Sequence, residues 1–255
     1  MNNIIFTRPT VQSDTYIEEL GKVSIAAKNI PLIEIVKDNT ALAKLKSICG
    51  SKLKVENKKI DWVIFTSKNS VDLTFDEVGS ELISIAPKII SVGPATSEAV
   101  RKRGGKVYYE CVGQNSLSLI SELDAIGNFA NQLVLLPTSK QAKDNLEEAL
   151  SLRQTEILRV DIYEPQSRHI TKEELAEIIS ARLLCFFSPS AVRSAFNQAD
   201  ERNDCRIVTV PALAIGPTTF AELKKYGFET LYVTPTTSPD SVVDTVKNLI
   251  GKNEI

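Results

Sequence analysis

The sequence predicts an α/β protein with parallel sheets, because short apolar segments alternate along the chain with segments of helical spacing. The apolar segment 183–187 is nearly continuous, which is typical of a strand covered by helices on both faces. Two strands lead into turns rich in hydroxyl groups, Phe187-Ser188-Pro189-Ser190 and Gly216-Pro217-Thr218-Thr219, and a helical pattern follows each turn. Strands and helices that alternate in this way favour right-handed crossovers between parallel strands.

Apolar runs rich in β-branched and aromatic residues predict the strands. In chain order they are residues 4–6, 23–27, 32–36, 62–65, 89–92, 107–109, 133–136, 156–163, 183–187, 212–215 and 231–233. The polar segment 52–59 is predicted to be a loop, and residues 167–171 are predicted to be a connector.

Helical spacing, often with proline or serine at its start and glycine at its end, predicts the helices. In chain order they span residues 12–20, 40–49, 94–103, 116–126, 142–150, 172–180, 217–226 and 239–250, with further helices from residue 70 and after Ser190. Pro94 suits the first turn of its helix, whereas Gly21, Gly104-Gly105 and Gly227 end theirs.

The composition is that of an ordinary globular protein, with 43% apolar and 24% charged residues among 255, enough for one large domain or two small ones. Its net charge of −2 argues against nucleic acid as a partner, although local N–H groups and a few basic side chains can bind a small anion. No apolar run has the length of a membrane span, and the start of the chain lacks a signal-peptide pattern. We therefore expect a cytoplasmic protein without a membrane partner.

The cysteines and the single histidine do not predict a metal site. Cys49, Cys111, Cys185 and Cys205 are widely spaced without a C-x-x-C pair, which is typical of reduced structural thiols. His169 cannot supply a site with several histidines. The sequence also lacks G-x-G-x-x-G, a P-loop and G-x-S-x-G, so neither nucleotide binding nor a Ser-His-acid triad is predicted.

The two halves of the chain share an ordered set of turns, which indicates an internal duplication. The matches at an offset of 122 residues are Phe65 with Phe187, Gly105 with Gly227 and Ser116 with Ser238. Gly93-Pro94 matches Gly216-Pro217 at an offset of 123 residues. Two similar domains facing each other would form a cleft, and parallel sheets bind ligands at the carboxyl ends of their strands.

The turns that follow the strands contain the candidate binding residues, since free N–H groups at a helix start attract carboxylate or phosphate. These candidates are Ser188, Ser190, Thr218 and Thr219, with Lys68 and Asn69 in the first repeat, and Gly93 and Gly216 where a tight turn or a ligand needs room. The alternative for the hydroxyl residues is helix capping, and for Lys68 and Asn69 it is solvation.

Arg8, Lys140, Lys143 and Tyr163 end or follow predicted strands, so they are expected at the same carboxyl edges. The alternative role for the lysines is ordinary surface charge. For Tyr163 a buried, hydrogen-bonded side chain is as good an interpretation as a catalytic or ligand-binding one.

An ordered set of short motifs resembles the uroporphyrinogen-III synthase family. The motifs are Thr7-Arg8-Pro9, Phe65-Thr66-Ser67-Lys68-Asn69-Ser70-Val71, Val92-Gly93-Pro94-Ala95-Thr96, Phe187-Ser188-Pro189-Ser190-Ala191-Val192 and Ala214-Ile215-Gly216-Pro217-Thr218-Thr219. No single motif is strong, but their order is fairly specific and the resemblance extends from Thr7 to the last helix.

This resemblance implies two flavodoxin-like domains with parallel sheets, joined by a pair of extended connectors, with a cleft between them. One domain would combine residues 1–36 with residues 167–255, and the other would be residues 37–166. The connectors would be segments 32–36 and 158–163, so the domains would not be the tandem halves that the repeat suggests.

The resemblance also implies an enzyme of haem biosynthesis, a carbon–oxygen lyase that converts hydroxymethylbilane to uroporphyrinogen III. Water is lost, the last pyrrole ring is inverted and the macrocycle closes, without a metal or cofactor. The protein would act as a monomer. Its substrate carries eight carboxylates, which suit turns that offer N–H and hydroxyl groups.

The residues that match the family's site are carried over by the same resemblance. Tyr163 would assist the departure of the hydroxyl group. The residues that would contact the substrate are Ser188, Ser190, Thr218 and Thr219 in one domain and Thr66, Ser67 and Thr96 in the other. Where the family often has a Gly-Arg pair after the strand 133–136, this chain has Ala142-Lys143, and lysine lacks the fork of a guanidinium.

A second class of function fits the same turns. A non-catalytic two-domain receptor for an anionic small molecule would also use hydroxyl and N–H groups, because a fold alone does not fix a function. Tyr163 and the ordered family motifs favour the enzyme.

Overall fold

The computed structural model describes residues 3–9, 14–50, 54–55, 58–85, 88–113, 115–236 and 238–255. The strands, named by their order in the chain, are β1 (Ile4–Phe6), β2 (Ala27–Asn29), β3 (Ile33–Lys37), β4 (Lys54–Val55), β5 (Lys58–Lys59), β6 (Trp62–Phe65), β7 (Lys88–Val92), β8 (Val107–Cys111), β9 (Leu133–Ser139), β10 (Glu156–Ser167), β11 (Leu183–Phe186), β12 (Ala212–Ala214) and β13 (Leu231–Val233). The helices are α1 (Asp14–Gly21), α2 (Asn39–Gly50), α3 (Lys68–Ile85), α4 (Pro94–Lys102), α5 (Ser116–Ile126), α6 (Asn145–Ser151), α7 (Lys172–Ile179), α8 (Pro189–Asp200), α9 (Pro217–Lys225) and α10 (Pro239–Gly251), with a 3-10 helix at Cys205–Thr209.

The chain divides into two units with dense internal contacts. The first combines Met1–Ile35 with Gln166–Ile255, and the second is Val36–Pro165. The sequence-based boundaries place each division one residue later. That these units fold as independent domains stays a prediction.

The first unit is built on a five-stranded parallel sheet in the order β13-β12-β11-β1-β2. Ile4 and Phe6 of β1 pack with α1 and α10 on one face, whereas Ile5 packs with α7, α8 and α9 on the other. All residues of β1, β11 and β12 are buried. Helices on both faces therefore explain why these strands are apolar throughout.

The second unit is built on a six-stranded sheet in the order β3-β10-β9-β6-β7-β8. The strands from β10 to β8 pair in parallel. The N–H of Asp38 donates to Ile162 O at 3.0 Å and that of Arg168 donates to Leu32 O at 2.9 Å, so β3 runs antiparallel to β10. These two strands are the extended connectors that cross from one unit to the other.

Both units have the strand order of a flavodoxin-like fold. In the first, if the five strands are numbered by their order in the chain, they follow one another across the sheet as 2-1-3-4-5. In the second, β9 and β10 take the first two positions although they follow β6, β7 and β8 in the chain. The switch point, where such sheets bind ligands, lies between β1 and β11 in the first unit and between β9 and β6 in the second. The predicted α/β class with flavodoxin-like parallel sheets is confirmed.

Several predicted elements differ from the structure, and β10 also extends to Ser167, beyond the predicted end at Tyr163. The strand predicted at residues 23–27 begins at Ala27, because a turn with Ser24 at a φ of 59° follows α1. Within the segment predicted to be a loop, β4 and β5 form an antiparallel pair. The helix predicted from Ala142 begins at Asn145, after a turn in which Ala142 O accepts a hydrogen bond from Arg159 of β10. The predicted start of the first helix at Gln12 lies outside the described residues.

The offset of 122 residues is wrong by one at each match. Phe65 and Phe186 end β6 and β11, and Ser67 and Ser188 lie two residues further on, so this turn repeats at 121 residues. The Gly-Pro turn does repeat at 123 residues, and so do the features that come after it. Gly104 and Gly227 share positive φ angles of 81° and 79°, while the N-caps of α5 and α10 are Asn115 and Ser238. Phe187, Gly105 and Ser116 are therefore neighbours of the equivalent positions.

A buried polar network anchors the segment after β10 to α8. Gln198, only 6% exposed, accepts a hydrogen bond from the N–H of Ile170 at 2.8 Å and donates to Arg168 O at 2.9 Å. It also donates to Ser194 Oγ at 3.0 Å, and that hydroxyl donates to Leu32 O at 2.8 Å. Two distant segments of the first unit are thus tied to one helix face.

Replacing Gln198 by alanine is expected to lower the free energy of unfolding by about 2–3 kcal/mol, because it leaves buried backbone groups without partners. Urea denaturation of Gln198→Ala and of Asn197→Ala, whose side chain is exposed on the same helix, provides the measurement. The control is expected to stay within about 0.5 kcal/mol of the original protein. Equal effects of the two substitutions would contradict the anchoring role.

Candidate functional site

The second unit brings Tyr163 and Ser67 together at the carboxyl edge of its sheet. Tyr163 lies on β10 opposite Ser139 of β9, and Ser67 lies in the turn between β6 and α3. The hydroxyl oxygens of Tyr163 and Ser67 are 2.9 Å apart. Since β9 separates β10 from β6, the tyrosine side chain extends across the end of β9, beside the switch point.

Ser67 also caps the start of α3. Its Oγ accepts the N–H of Ser70 at 3.1 Å, as an N-cap residue does. The hydroxyl of Ser70 donates to Ser67 O at 2.7 Å, and the two serine hydroxyl oxygens are 3.2 Å apart. The neighbours Thr66 and Asn69 are half-buried and Lys68 is exposed, so with Ser67 four predicted residues share this turn.

The surroundings of Tyr163 keep its phenol protonated. The side chain is 6% exposed, and this burial raises the pKa of Tyr163, while its hydrogen bond with Ser67 acts in the opposite direction. A protonated phenol in an environment of low polarity is a hydrogen-bond donor to any acceptor that reaches it.

The turn after β9 lies next to Tyr163. The N–H of Lys140 donates to Tyr163 O at 2.9 Å. Arg159 of β10 donates to Ala142 O at 3.1 Å and forms ion pairs with Asp161 and Glu147. This turn therefore has a fixed backbone, and Lys143 within it is exposed.

Sequence reasoning missed the role of Arg159. Arg159 and Asp161 are two residues apart on one strand, and residues at that spacing share a face. From this spacing, an ion pair between Arg159 and Asp161 could have been predicted. The acidic partner Glu147 is separated along the chain and could not be found from the sequence alone.

Gly93 immediately precedes α4, another helix that starts at the carboxyl edge of this sheet. It has a φ of 79°, a conformation that favours glycine, and α4 begins without a side-chain cap. The first N–H groups of α4 are therefore left for other acceptors. Thr96, in the first turn, is 4% exposed.

In the first unit, Ser188 occupies the position that Ser67 has in the second. Ser188 Oγ accepts the N–H of Ala191 at 3.2 Å and lies 2.9 Å from Ser190 Oγ. Both serines are half-buried at the end of β11, on one side of the switch point. The structure thus shows capping by Ser188, whose hydroxyl also forms a hydrogen bond with the hydroxyl of Ser190.

The turn of Gly216 differs from the expectation of a tight turn. Its φ of −173° is extended backbone that any residue adopts, and a Cβ atom there would meet no neighbour within 4 Å. A glycine is therefore not required by the turn itself. Thr218 is exposed at the start of α9, whereas Thr219 is 2% exposed. Substrate binding by Thr219 and Thr96 stays a prediction. It is not favoured by their burial, because little of either side chain is accessible to a ligand.

Arg8 lies on the other side of the switch point of the first unit, after β1. One of its guanidinium nitrogens donates to the Tyr16 hydroxyl at 2.6 Å, and the group stacks 4.6 Å from the centre of the Phe187 ring. Burial lowers the pKa of Arg8, and the contact with Tyr16 opposes that change. The aromatic partners fix the guanidinium beside the helix start of Ser188. Nothing in the helical pattern of α1 distinguishes Tyr16 as this partner.

Among the described residues, His, Cys, Asp and Glu side chains form no group that could coordinate a metal ion. In the same part of the chain, every helix is too short or too polar to span a bilayer.

Two flavodoxin-like sheets, each with polar helix starts at its switch point, define a two-unit α/β protein. The chain belongs to the uroporphyrinogen-III synthase family, since the family model of uroporphyrinogen-III synthase HemD matches residues 14–244. This is a family of enzymes of porphyrin biosynthesis that act on a small molecule. No curated protein sequence matches the chain significantly.

Solved structures show the same fold at low sequence identity. A uroporphyrinogen-III synthetase from Helicobacter pylori is 18% identical, with a TM-score of 0.64 over 98% of this chain and 100% of that chain. A mutant uroporphyrinogen III synthase from the extremely thermophilic bacterium Thermus thermophilus is 15% identical, with a TM-score of 0.62 over 99% of this chain and 100% of that chain. At these identities the likeness supports the fold, and the roles of individual residues stay predictions.

We expect the phenol of Tyr163 to titrate above the ordinary tyrosine pKa of about 10, because burial disfavours the phenolate. The measurement is a spectrophotometric pH titration of the protein and of Tyr163→Phe, in which the difference isolates this one tyrosine. Tyr163 should then be protonated throughout the neutral range and lose its proton only in strong alkali. A difference titration centred below the ordinary value would contradict the buried environment.

Proposed function

We propose that the protein is a uroporphyrinogen-III synthase that converts hydroxymethylbilane to uroporphyrinogen III and water. The C–O bond of the hydroxymethyl group breaks, the last pyrrole ring is inverted and a new C–C bond closes the macrocycle. Family membership supports a cyclising enzyme. The observation that carries the assignment of residues is the buried, protonated Tyr163 beside a helix start at a switch point.

Departure of hydroxide needs a proton or a strong hydrogen bond at the leaving oxygen. The electron-rich pyrrole nitrogen drives this departure, so the substrate itself stabilises the cation that forms. We assign the donor role to Tyr163, because a phenol with a raised pKa can donate a hydrogen bond without full proton transfer. The remaining task of the protein is to hold the chain bent so that the inverted ring closes, which is mainly positioning.

The substrate carboxylates suit the polar carboxyl edge of each sheet. In the first unit the candidates are Arg8, Ser188, Ser190 and the exposed Thr218. In the second unit the α4 start at Gly93 offers N–H groups without a side-chain cap, and Lys143 adds an exposed positive charge. Helix starts favour carboxylates through their N–H groups and the helix dipole.

The decisive experiment incubates the protein with freshly prepared hydroxymethylbilane and separates the uroporphyrinogen isomers. Spontaneous closure gives the symmetric type I isomer, so accumulation of type III above a protein-free control is the expected result. Type I alone would overturn the enzyme assignment. Binding of the bilane without turnover would then favour a receptor for anionic small molecules.

Tyr163→Phe is expected to lower kcat by about ten- to a hundredfold, because losing a hydrogen bond to a group that develops charge costs about 1.5–3 kcal/mol. The product should remain mainly type III, because the groups that position the substrate are kept. The measurement is the initial rate together with the isomer ratio.

The matched control is Tyr109→Phe. Tyr109 lies on β8 of the same unit, and its phenol donates to Glu122 at 2.9 Å. That variant should keep the original rate. An unchanged rate in Tyr163→Phe would remove this residue from the mechanism. A switch to type I at unchanged consumption would show instead that Tyr163 positions the substrate.

A further inference from the structure

The hydroxyl of Ser67 has a geometry that the other helix caps of the described residues do not share. Like Ser188, it accepts an N–H of its own helix. It is in addition 2.9 Å from the phenol oxygen of Tyr163, a residue 96 positions away. This second contact lies within the proposed site, so any role of Ser67 in the reaction rests on the proposed function.

The hydrogen atoms at this site can be counted. One lone pair of Ser67 Oγ is used by the N–H of Ser70, and the Ser70 hydroxyl donates its own hydrogen to Ser67 O. The hydrogen of Ser67 can therefore go to Tyr163 Oη at 2.9 Å or to Ser70 Oγ at 3.2 Å. With the first choice the phenol keeps its own hydrogen for another acceptor, whereas with the second the phenol can donate to the remaining lone pair of Ser67.

The direction of this hydrogen bond decides what Tyr163 can do. If Ser67 donates to Tyr163, the phenol hydrogen is free to point at a substrate oxygen. As that hydrogen is shared, negative charge develops on the phenol oxygen, and a donor hydroxyl stabilises it. The start of α3, which Ser67 caps, contributes the positive end of a helix dipole.

We propose that Ser67 is a positioning residue for Tyr163, whose hydroxyl donates to the phenol oxygen and directs the phenol hydrogen toward the leaving group. Ser67 acts through Tyr163 and not by direct binding of substrate. The direction of the pKa effect agrees with this role, since the contact with Ser67 lowers the pKa of Tyr163 against the larger effect of burial.

Three substitutions at one position separate capping from donation. Ser67→Thr keeps an N-cap hydroxyl that can both accept and donate. Ser67→Asp keeps a good N-cap acceptor but cannot donate when ionised, and it would attract the phenol hydrogen to itself. Ser67→Ala removes both functions. Asn115→Ala, which removes the cap of α5 in the same unit, is the control for a cap lost without a tyrosine partner.

The measurements are kcat and KM with hydroxymethylbilane, the Tyr163 difference titration and the melting temperature. We expect Ser67→Thr to retain activity, and Ser67→Asp and Ser67→Ala to lower kcat about three- to tenfold with little change in KM. Ser67→Asp and Ser67→Ala should also raise the pKa of Tyr163, whereas Asn115→Ala should change neither kcat nor this pKa. In a Tyr163→Phe background, Ser67→Ala should cause no further loss of kcat, because its partner is already absent.

Full activity in Ser67→Asp would overturn the proposal, because that variant keeps the cap and loses the donor. An equal loss of kcat from Ser67→Ala with and without Tyr163, or a rise confined to KM, would overturn it by showing direct substrate binding. If the original protein yields only type I isomer, the proposed function fails separately. The titration of Ser67→Ala and Ser67→Asp then still tests the contact, and an unchanged Tyr163 pKa would refute it.

Discussion

Parallel pairing of short, buried strands is the constraint on which the rest of the structure depends. Because neighbouring strands run in the same direction, each connection must return along a face of the sheet, and helices come to cover both faces. Ile4 and Ile5 show the result, since adjacent residues of β1 pack into different helical layers. All strand ends of one direction then meet at one edge. Turns far apart in sequence are collected there, and the first N–H groups of their helices lie beside one another.

The two units meet this constraint with different chain orders. In the first unit β1 and β2 open the chain, whereas in the second unit β9 and β10 fill the same two sheet positions after β6, β7 and β8. A sheet is stabilised by the neighbours of each strand, so a permuted chain order gives the same packing. In the sequence, the second unit lies between the two segments of the first unit, and β3 and β10 carry the chain between units. A repeat of turns therefore does not mark a domain boundary.

The sequence predicted the strands and helices that are set by local pattern, and it failed where pairing decides. The apolar runs at residues 62–65 and 231–233 agree with β6 and β13, and every residue of β6 is buried, as a strand covered on both faces requires. The strand predicted at 23–27 failed because its register is fixed by the pairing of Ile4 with Ala27, which no local pattern contains. Within the site, helix starts were predictable from Pro, Gly and Ser. The contacts of Tyr163 with Ser67 and of Arg8 with Tyr16 are tertiary and were not.

Capping and function are not alternatives for the hydroxyl residues of these turns. Ser67, Ser188 and Ser238 each accept an N–H of the helix they begin, so their local geometry is the same. A hydroxyl that accepts in this way still has its own hydrogen to donate, and capping fixes the direction in which it can do so. What distinguishes Ser67 is the neighbour that a parallel sheet places across the end of β9. The cap therefore supplies a rigid oxygen, and the sheet topology decides whether that oxygen only ends a helix or also orients a reactive group.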